Sequence, residues 1–340
     1  MKSSTEIASA LLEALRRDTR ANDLDFAQQP ETVLGGNETT IYAFSLDVPD
    51  DHPLSGALIA RIFFKTRDPL QHRIEALVHN GLFVCGYPVP PVRFVSDGDG
   101  VGAAWIVMDR LPGTMLGSEG LRMPSGVLHF RDLLHAVPRK LAELQLALHA
   151  LEPETLREEL TTLVGDESSF TPKAQINGAR ALIDDDDEMA AALRIMESRL
   201  PSTHERVICH GDFHPLNVLG DPQAGYGVID WSNIRFADRE FDVGSTLALL
   251  ELTELNLPPV VRRVAEWVMF KMGVRYLDAY RDSSRAIDLE KVRYFYALRA
   301  LVELIYARAS GVPPLGDIGG WNVTRLLDVI GPFTGVRMTP

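Results

Sequence analysis

The stretch VICHGDFHPLNVL, residues 207 to 219, places His210, Asp212, His214 and Asn217 within eight residues, directly after an apolar run. A metal site would draw on His210, Asp212, His214 and Cys209. Alternate residues of an extended segment point to opposite sides, however, so Cys209 and His210 diverge, and zinc usually takes its ligands from two separated pairs. Phosphoryl transfer accounts for more of the pattern. That chemistry uses an aspartate to accept the proton of an attacking hydroxyl and an asparagine five residues on to hold magnesium, in the order H-x-D-x-x-x-x-N. His210-Gly211-Asp212 followed by Asn217 has this order. A second magnesium carboxylate should follow on a short strand, and GVIDW supplies Asp230, eighteen residues after Asp212. A carboxylate and an amide are hard oxygen ligands, which suit magnesium.

The same chemistry needs elements that hold a nucleotide. A glycine turn between strands should cover the phosphates, and LGGNETTIY offers Gly35 and Gly36, with Asn37, Thr39 and Thr40 as donors. The next strand should carry a cation for the phosphates, held by a glutamate on the following helix. ALIARIFFK offers Arg61, and Glu75 is the only acid inside the helix that follows. An arginine in so apolar a strand needs a partner, because an unpaired buried charge is costly. Lys65, on the same strand face, is the alternative cation.

Residues 31 to about 111 read mainly as strands, interrupted by one helix from DPLQHRIEALVHNGLF with Leu70, Ile74, Leu77 and Val78 on one face. VRFVSDGDGVGAAWIVMDRL reads as a hairpin. After LPG at 111 to 113 the pattern turns helical. PRKLAELQLALHAL opens on proline with Leu141, Leu144 and Leu148 at helical spacing, and two long amphipathic helices follow near the end. The acids at 184 to 188 read as a helix start. The expected organisation is an α+β fold of two lobes. Residues 1–30 form an N-terminal helical extension, 31–110 a small nucleotide-binding lobe with an antiparallel sheet and one helix, and 111–340 a larger, mainly helical lobe for catalysis and substrate.

Composition sets outer limits. The 340 residues carry 34 Lys+Arg against 47 Asp+Glu, a formal net charge of −13, which disfavours nucleic acid and anionic membrane as partners. Two cysteines make no disulfide framework. No window approaches 18 consecutive apolar residues, and the N-terminus lacks the apolar core of a signal peptide, so a cytoplasmic setting is expected.

HGDFHPLNVL followed by GVIDWSN resembles the aminoglycoside phosphotransferase and choline kinase group, small-molecule kinases with a protein-kinase-like fold. IVMDRLPG resembles that group's hinge between lobes. The resemblance runs from about residue 30 to the C-terminus. It implies Asp212 as catalytic base, Asn217 and Asp230 as magnesium ligands, and Arg61 with Glu75 as the phosphate-fixing pair. It further implies that the backbone of Met108, Asp109 and Arg110 holds adenine, that His214 supports the catalytic loop and that Asp242 braces it. The donor is then ATP, or GTP, with Mg2+, and the acceptor a small hydroxylated molecule of aminoglycoside, macrolide or choline type. Two departures stand out: Arg61 replaces the lysine of better-studied members, and Ala237-Asp238-Arg239-Glu240-Phe241-Asp242 keeps only the two aspartates of G-D-P-x-x-D. A protein kinase would need a long activation segment ending in A-P-E, which the chain lacks. A catalytically silent nucleotide-binding protein would be expected to have lost one of Asp212, Asn217 and Asp230, and all three are present.

Overall fold

The computed structural model describes residues 4–33, 39–64, 68–98, 101–116, 126–184, 188–221, 223, 225–254, 257–283, 286–310, 315–316 and 319–338. Gly35, Gly36 and Lys65 lie outside them. The chain forms two compact units, one of residues 1–113 with 219–232 and the other of residues 114–218 with 233–340.

Unit 1 runs α1 (Ser4–Thr19), β1 (Phe26–Val33), β2 (Thr40–Leu46), β3 (Ala57–Ile62), α2 (Gln71–Val84), β4 (Val92–Ser96) and β5 (Trp105–Asp109). The strands form one antiparallel sheet in the order β1-β2-β3-β5-β4. The period of two along the strands sorts their side chains. Leu58, Ala60, Ile62, Trp105 and Val107 face one way and pack with Ile7, Leu11 and Leu15 of α1. Phe63, Ile106 and Met108 face the other way, with Ala76 of α2 and the partly buried Ile59. Arg61 falls in the second set by register, opposite Ile106. The N-terminal helix therefore covers the sheet face that α2 leaves open, and β1 begins inside the span read as a helical extension.

Residues 219–232 join this unit through specific contacts. The Val228 N–H donates to Pro88 O at 2.8 Å, and the Trp231 ring stacks edge-on against Tyr87 with centroids 5.9 Å apart. Gly227 lies under Leu111, and a Cβ there would collide with the leucine side chain.

Unit 2 is mainly helical: α3 (Gly126–His149), α4 (Glu154–Val164), α5 (Pro172–Arg180), α6 (Glu188–Ser198), α7 (Arg239–Leu252), α8 (Pro259–Ser283), α9 (Leu289–Ser310) and α10 (Val323–Thr334). A two-stranded antiparallel pair, β6 (Val207–Cys209) and β7 (Arg235–Ala237), carries the chain into and out of the 210–217 loop. The core joins Phe241 and Ala248 of α7 to Phe295, Leu298, Leu301 and Ile305 of α9, with Leu193, Leu326 and Ile330. The sequence placed Pro138 at the first turn of its helix, but α3 starts at Gly126 and carries the proline inside. A proline there costs roughly 3 kcal/mol of helix propensity. Leu134, Val137, Leu141 and Leu148 are all buried at helical spacing, and that longer apolar stripe keeps the helix continuous. Among the described residues, no helix is long and apolar enough to cross a membrane.

Gly244 marks the closest approach of α7 to α9. A Cβ there would lie 2.7 Å from Val292 O and 2.9 Å from Phe295 Cβ and Tyr296 N. Two of those three atoms are backbone and cannot turn aside. Gly244→Ala is therefore expected to destabilise the protein by about 1–3 kcal/mol, the usual range for overpacking, despite alanine's better helix propensity. Urea unfolding at pH 7 reads this, and an unchanged or raised midpoint would contradict the close packing of these helices.

Candidate active site

In unit 2 the site is built on Asp242, in the first turn of α7. Its carboxylate is wholly buried and accepts the His210 N–H (Oδ2, 3.0 Å) and the Gly211 N–H (Oδ1, 2.7 Å). His149 Nε2, from the end of α3, lies 3.2 Å from Oδ2. With that nitrogen donating, His149 Nδ1 accepts the Tyr280 hydroxyl of α8 at 2.7 Å. Gly211 has φ +75°, and a Cβ there would run into the Asn233 carbonyl, so the middle residue of His-Gly-Asp has to be glycine.

This turn delivers Asp212, which three side chains surround. Arg299 of α9 donates from Nη2 to Asp212 Oδ1 and from Nη1 to Gly211 O, both at 2.7 Å. Asn217 Nδ2 donates to Asp212 O at 2.9 Å and reaches Oδ2 at 3.3 Å, while His214 Nε2 stands 3.6 Å from Oδ2. Burial works against ionisation of Asp212, but Arg299 and then His214 outweigh it and hold the carboxyl well below the usual carboxylate range. An ionised carboxylate with one oxygen anchored is what a base toward a hydroxyl requires. Asn217 commits its amide nitrogen to Asp212, which turns its oxygen, the end a cation needs, the other way. The residues present fit a hard divalent ion in this respect.

His214 caps the 3₁₀ turn at Pro215–Asn217 by accepting the Leu216 N–H at 3.2 Å. Cys209, part of the zinc alternative, is buried, and burial raises its thiol well above its ordinary value. Asp238 is a structural tie. Its Oδ1 accepts the His204 and Glu205 N–H groups at 2.8 Å each, and its Oδ2 meets Lys291 at 2.5 Å.

In unit 1, Arg61 is held at three points. Nη1 pairs with Glu75 at 2.9 Å, Nη2 meets Asp230 Oδ1 at 3.2 Å, and Nε donates to Thr39 Oγ1 at 3.2 Å. Glu75 is fully buried in α2 and also accepts from Gln71 at 3.2 Å. Asp230 follows strand Gly225–Val228 with φ +65°, a left-handed conformation uncommon outside glycine, and accepts the Ser232 hydroxyl at 3.0 Å. Strained backbone of this kind is found preferentially at functional positions. The hinge reading changes in detail. The Asp109 N–H donates to Pro91 O at 3.2 Å, the Arg110 N–H donates to Ala57 O at 2.9 Å, and the Asp109 side chain is paired with Arg93 at 2.7 Å. Those two backbone donors are committed within unit 1, because the strand continues pairing past Met108.

Arg299 and its ion-pair partner Glu303, 2.7 Å from Arg299 Nε, are residues that motif spacing missed. Their signal lay in LRALVELI, where an i, i+4 Arg–Glu pair sits among residues that are otherwise all apolar. His149 left a fainter one, a lone histidine at the end of an apolar helix face.

The Asp242 carboxyl titrates low for the same reasons it organises the loop. Burial works to raise it, and His149, His210 and the Gly211 N–H together bring it below its ordinary value. A folded-state value below the unfolded one (roughly 3.9 for aspartate) stabilises the fold at all pH above the unfolded value. That contribution is lost as pH falls through the folded value. Asp242→Asn is therefore expected to cost about 2–4 kcal/mol at pH 6–8, with the gap to wild type narrowing below about pH 4. Urea unfolding from pH 8 to pH 3.5 measures the gap, and a gap independent of pH would contradict this account of Asp242.

Comparison with known proteins gives this geometry its family. The pattern of the phosphotransferase enzyme family matches residues 52–268. The aminoglycoside 3'-phosphotransferase of Streptomyces fradiae is 30% identical over 223 residues, which cover 63% of this chain and 73% of that protein. LicA in complex with AMP superposes with a TM-score of 0.61 at 15% identity, over 98% of this chain and 100% of the other. A thermostable mutant of the aminoglycoside phosphotransferase APH(4)-Ia, in ternary complex with ADP and hygromycin B, gives 0.57 at 16% identity, over 97% and 100%. The two structures are too distant in sequence to carry more than the fold, which is α+β and protein-kinase-like. With more than half its length matched by the family pattern, the chain belongs to the phosphotransferase enzyme family, and it is a small-molecule kinase of the aminoglycoside phosphotransferase and choline kinase type.

Proposed function

We propose that the enzyme transfers the γ-phosphoryl group of ATP to a hydroxyl of a small amine-bearing molecule of aminoglycoside type. GTP is the alternative donor, and macrolide- and choline-like molecules are the alternative acceptors. The observation that carries the reading is the setting of Asp212. Oδ1 is anchored by Arg299 at 2.7 Å, while Oδ2 has only the longer approaches of Asn217 and His214, at 3.3 and 3.6 Å. Oδ2 is thus the oxygen suited to take the acceptor's proton. As the acceptor oxygen bonds to the γ-phosphorus, its O–H bond breaks toward Asp212 Oδ2, and the bond from phosphorus to the bridging oxygen breaks to release the diphosphate. Such transfer depends on positioning and electrostatics more than on covalent chemistry by the protein.

Arg61, fixed by Glu75, is proposed as the phosphate-binding cation. Its planar fork can serve a carboxylate and a phosphate oxygen together in fixed directions, where a lysine ammonium would do so as a point charge. Gly35 and Gly36 are proposed to cover the phosphates, and the Met108–Arg110 stretch to border the base. Asn217 and Asp230 are proposed as the magnesium-holding groups. Magnesium held there would offset the charge of the phosphates.

Three observations support an amine-bearing acceptor. The Streptomyces fradiae relative is named for aminoglycosides. The chain carries a net charge of −13. Unit 2 contains a cavity of about 500 Å³ bordered by Glu251, Glu266, Trp267, Phe270, Tyr296 and Arg325. Burial raises the Glu251 carboxyl there to about 7, so a cationic ligand would favour its ionised form.

The test is transfer from [γ-³²P]ATP to kanamycin, hygromycin B, choline and erythromycin in the presence of Mg2+. Labelled kanamycin or hygromycin B is the expected product. ATP binding without labelling of any acceptor, and without phosphate release, would favour a silent nucleotide-binding protein. Asp230→Ala is expected to abolish turnover and weaken magnesium-dependent nucleotide binding, and normal turnover in that variant would refute the magnesium assignment.

A further inference from the structure

The mechanism above uses Asp212 but leaves unexplained a buried ion pair behind it. Arg299 is only 6% exposed, and its helix neighbours Leu298, Ala300, Leu301 and Val302 are all buried. A charge placed there is retained against a large desolvation cost, which hydrophobic residues of similar volume would avoid. Its bonding is specific. One guanidinium nitrogen holds the Gly211 carbonyl, the other holds Asp212 Oδ1, each at 2.7 Å. The third, Nε, lies 2.7 Å from Glu303 Oε1 one helical turn along α9. Glu303 thus balances the guanidinium charge from one turn along the same helix, and the guanidinium fixes both the backbone and one carboxylate oxygen of the loop.

From this two-point hold, and resting on the assignment of Asp212 as the base, we propose that Arg299 is the positioning residue of the catalytic aspartate, with Glu303 as the group that balances its charge. It touches neither nucleotide nor acceptor. Its work is to keep Oδ1 occupied and the Gly211–Asp212 backbone still, so that Oδ2 alone meets the acceptor hydroxyl. A planar fork does this better than an ammonium, because the fork bonds two oxygens of the loop in fixed directions from two nitrogens of one rigid plane. A displacement of about 1 Å in such a group is enough to cost on the order of 100-fold in rate.

A double-mutant cycle separates positioning from mere support of the fold. The proteins are wild type, Asp212→Asn, the pair Arg299→Met with Glu303→Gln, and all three changes together. Removing both members leaves no unpaired charge on α9, and Arg299→Lys serves as the milder second variant, which keeps a positive charge beside Asp212. The readouts are the single-turnover rate of phosphate loss from [γ-³²P]ATP, to kanamycin or else to water, the dissociation constant of Mg-AMP-PNP, and the melting temperature. The paired variant is expected to lose about 100-fold in rate with AMP-PNP affinity unchanged, and Arg299→Lys to recover part of that loss. In the Asp212→Asn background the same pair should cause no further loss. An equal loss in both backgrounds, or none in the Asp212 background, would overturn the positioning role. Wild-type turnover by Asp212→Asn alone would instead overturn the base assignment beneath it.

Discussion

The 210–217 loop of unit 2 depends on one buried carboxylate. Asp242 has no solvent to hydrate it, so its charge is carried by the His210 and Gly211 N–H groups and by His149. An unpaired charge in that position would be prohibitive, and for that reason the loop cannot relax away without exposing the loss. The constraint propagates outward. Two consecutive N–H groups aimed at one carboxylate force the turn at Gly211, the turn rejects any side chain at that residue, and Asp212 is presented at its end. On the other side, His149 passes the same constraint to Tyr280, so α3, α7 and α8 all meet at the foot of the loop.

Each unit then solves a similar problem with an arginine. In unit 1, Arg61 divides its guanidinium between Glu75 and Asp230. In unit 2, Arg299 divides its own between Glu303 and Asp212. In both cases one carboxylate sits on a helix and balances the arginine's charge, while the other belongs to a segment proposed for the chemistry. Guanidinium suits this arrangement because it stays charged when buried and offers nitrogens in fixed directions. Arginine at position 61 thus keeps its charge while bonded to Glu75, Asp230 and Thr39 at once.

Much of this was legible in the sequence because it is local. His210-Gly211-Asp212 and Asn217 are close in the chain, and the strand alternation around Arg61 predicted a buried cation in need of an acid, which Glu75 supplies at 2.9 Å. What stayed hidden is long-range. Arg299 reaches Asp212 across 87 residues and His149 reaches Asp242 across 93, and no spacing rule links such pairs. The N-terminal helix was legible as a helix but not as the cover for one face of the sheet. The position of Pro138 misled because proline usually opens a helix, whereas here the apolar stripe on both sides of it decides.

The central claim is that Asp212 serves the transfer step and not the binding of nucleotide. The measurement that bears on it most directly compares Asp212→Asn with wild type in single-turnover transfer from MgATP and in equilibrium binding of MgATP. The account predicts a transfer rate lower by about 100- to 10,000-fold, the range of general-base contributions, with binding nearly unchanged. Equal transfer rates would contradict it, and loss of nucleotide binding in step with transfer would make Asp212 a structural residue.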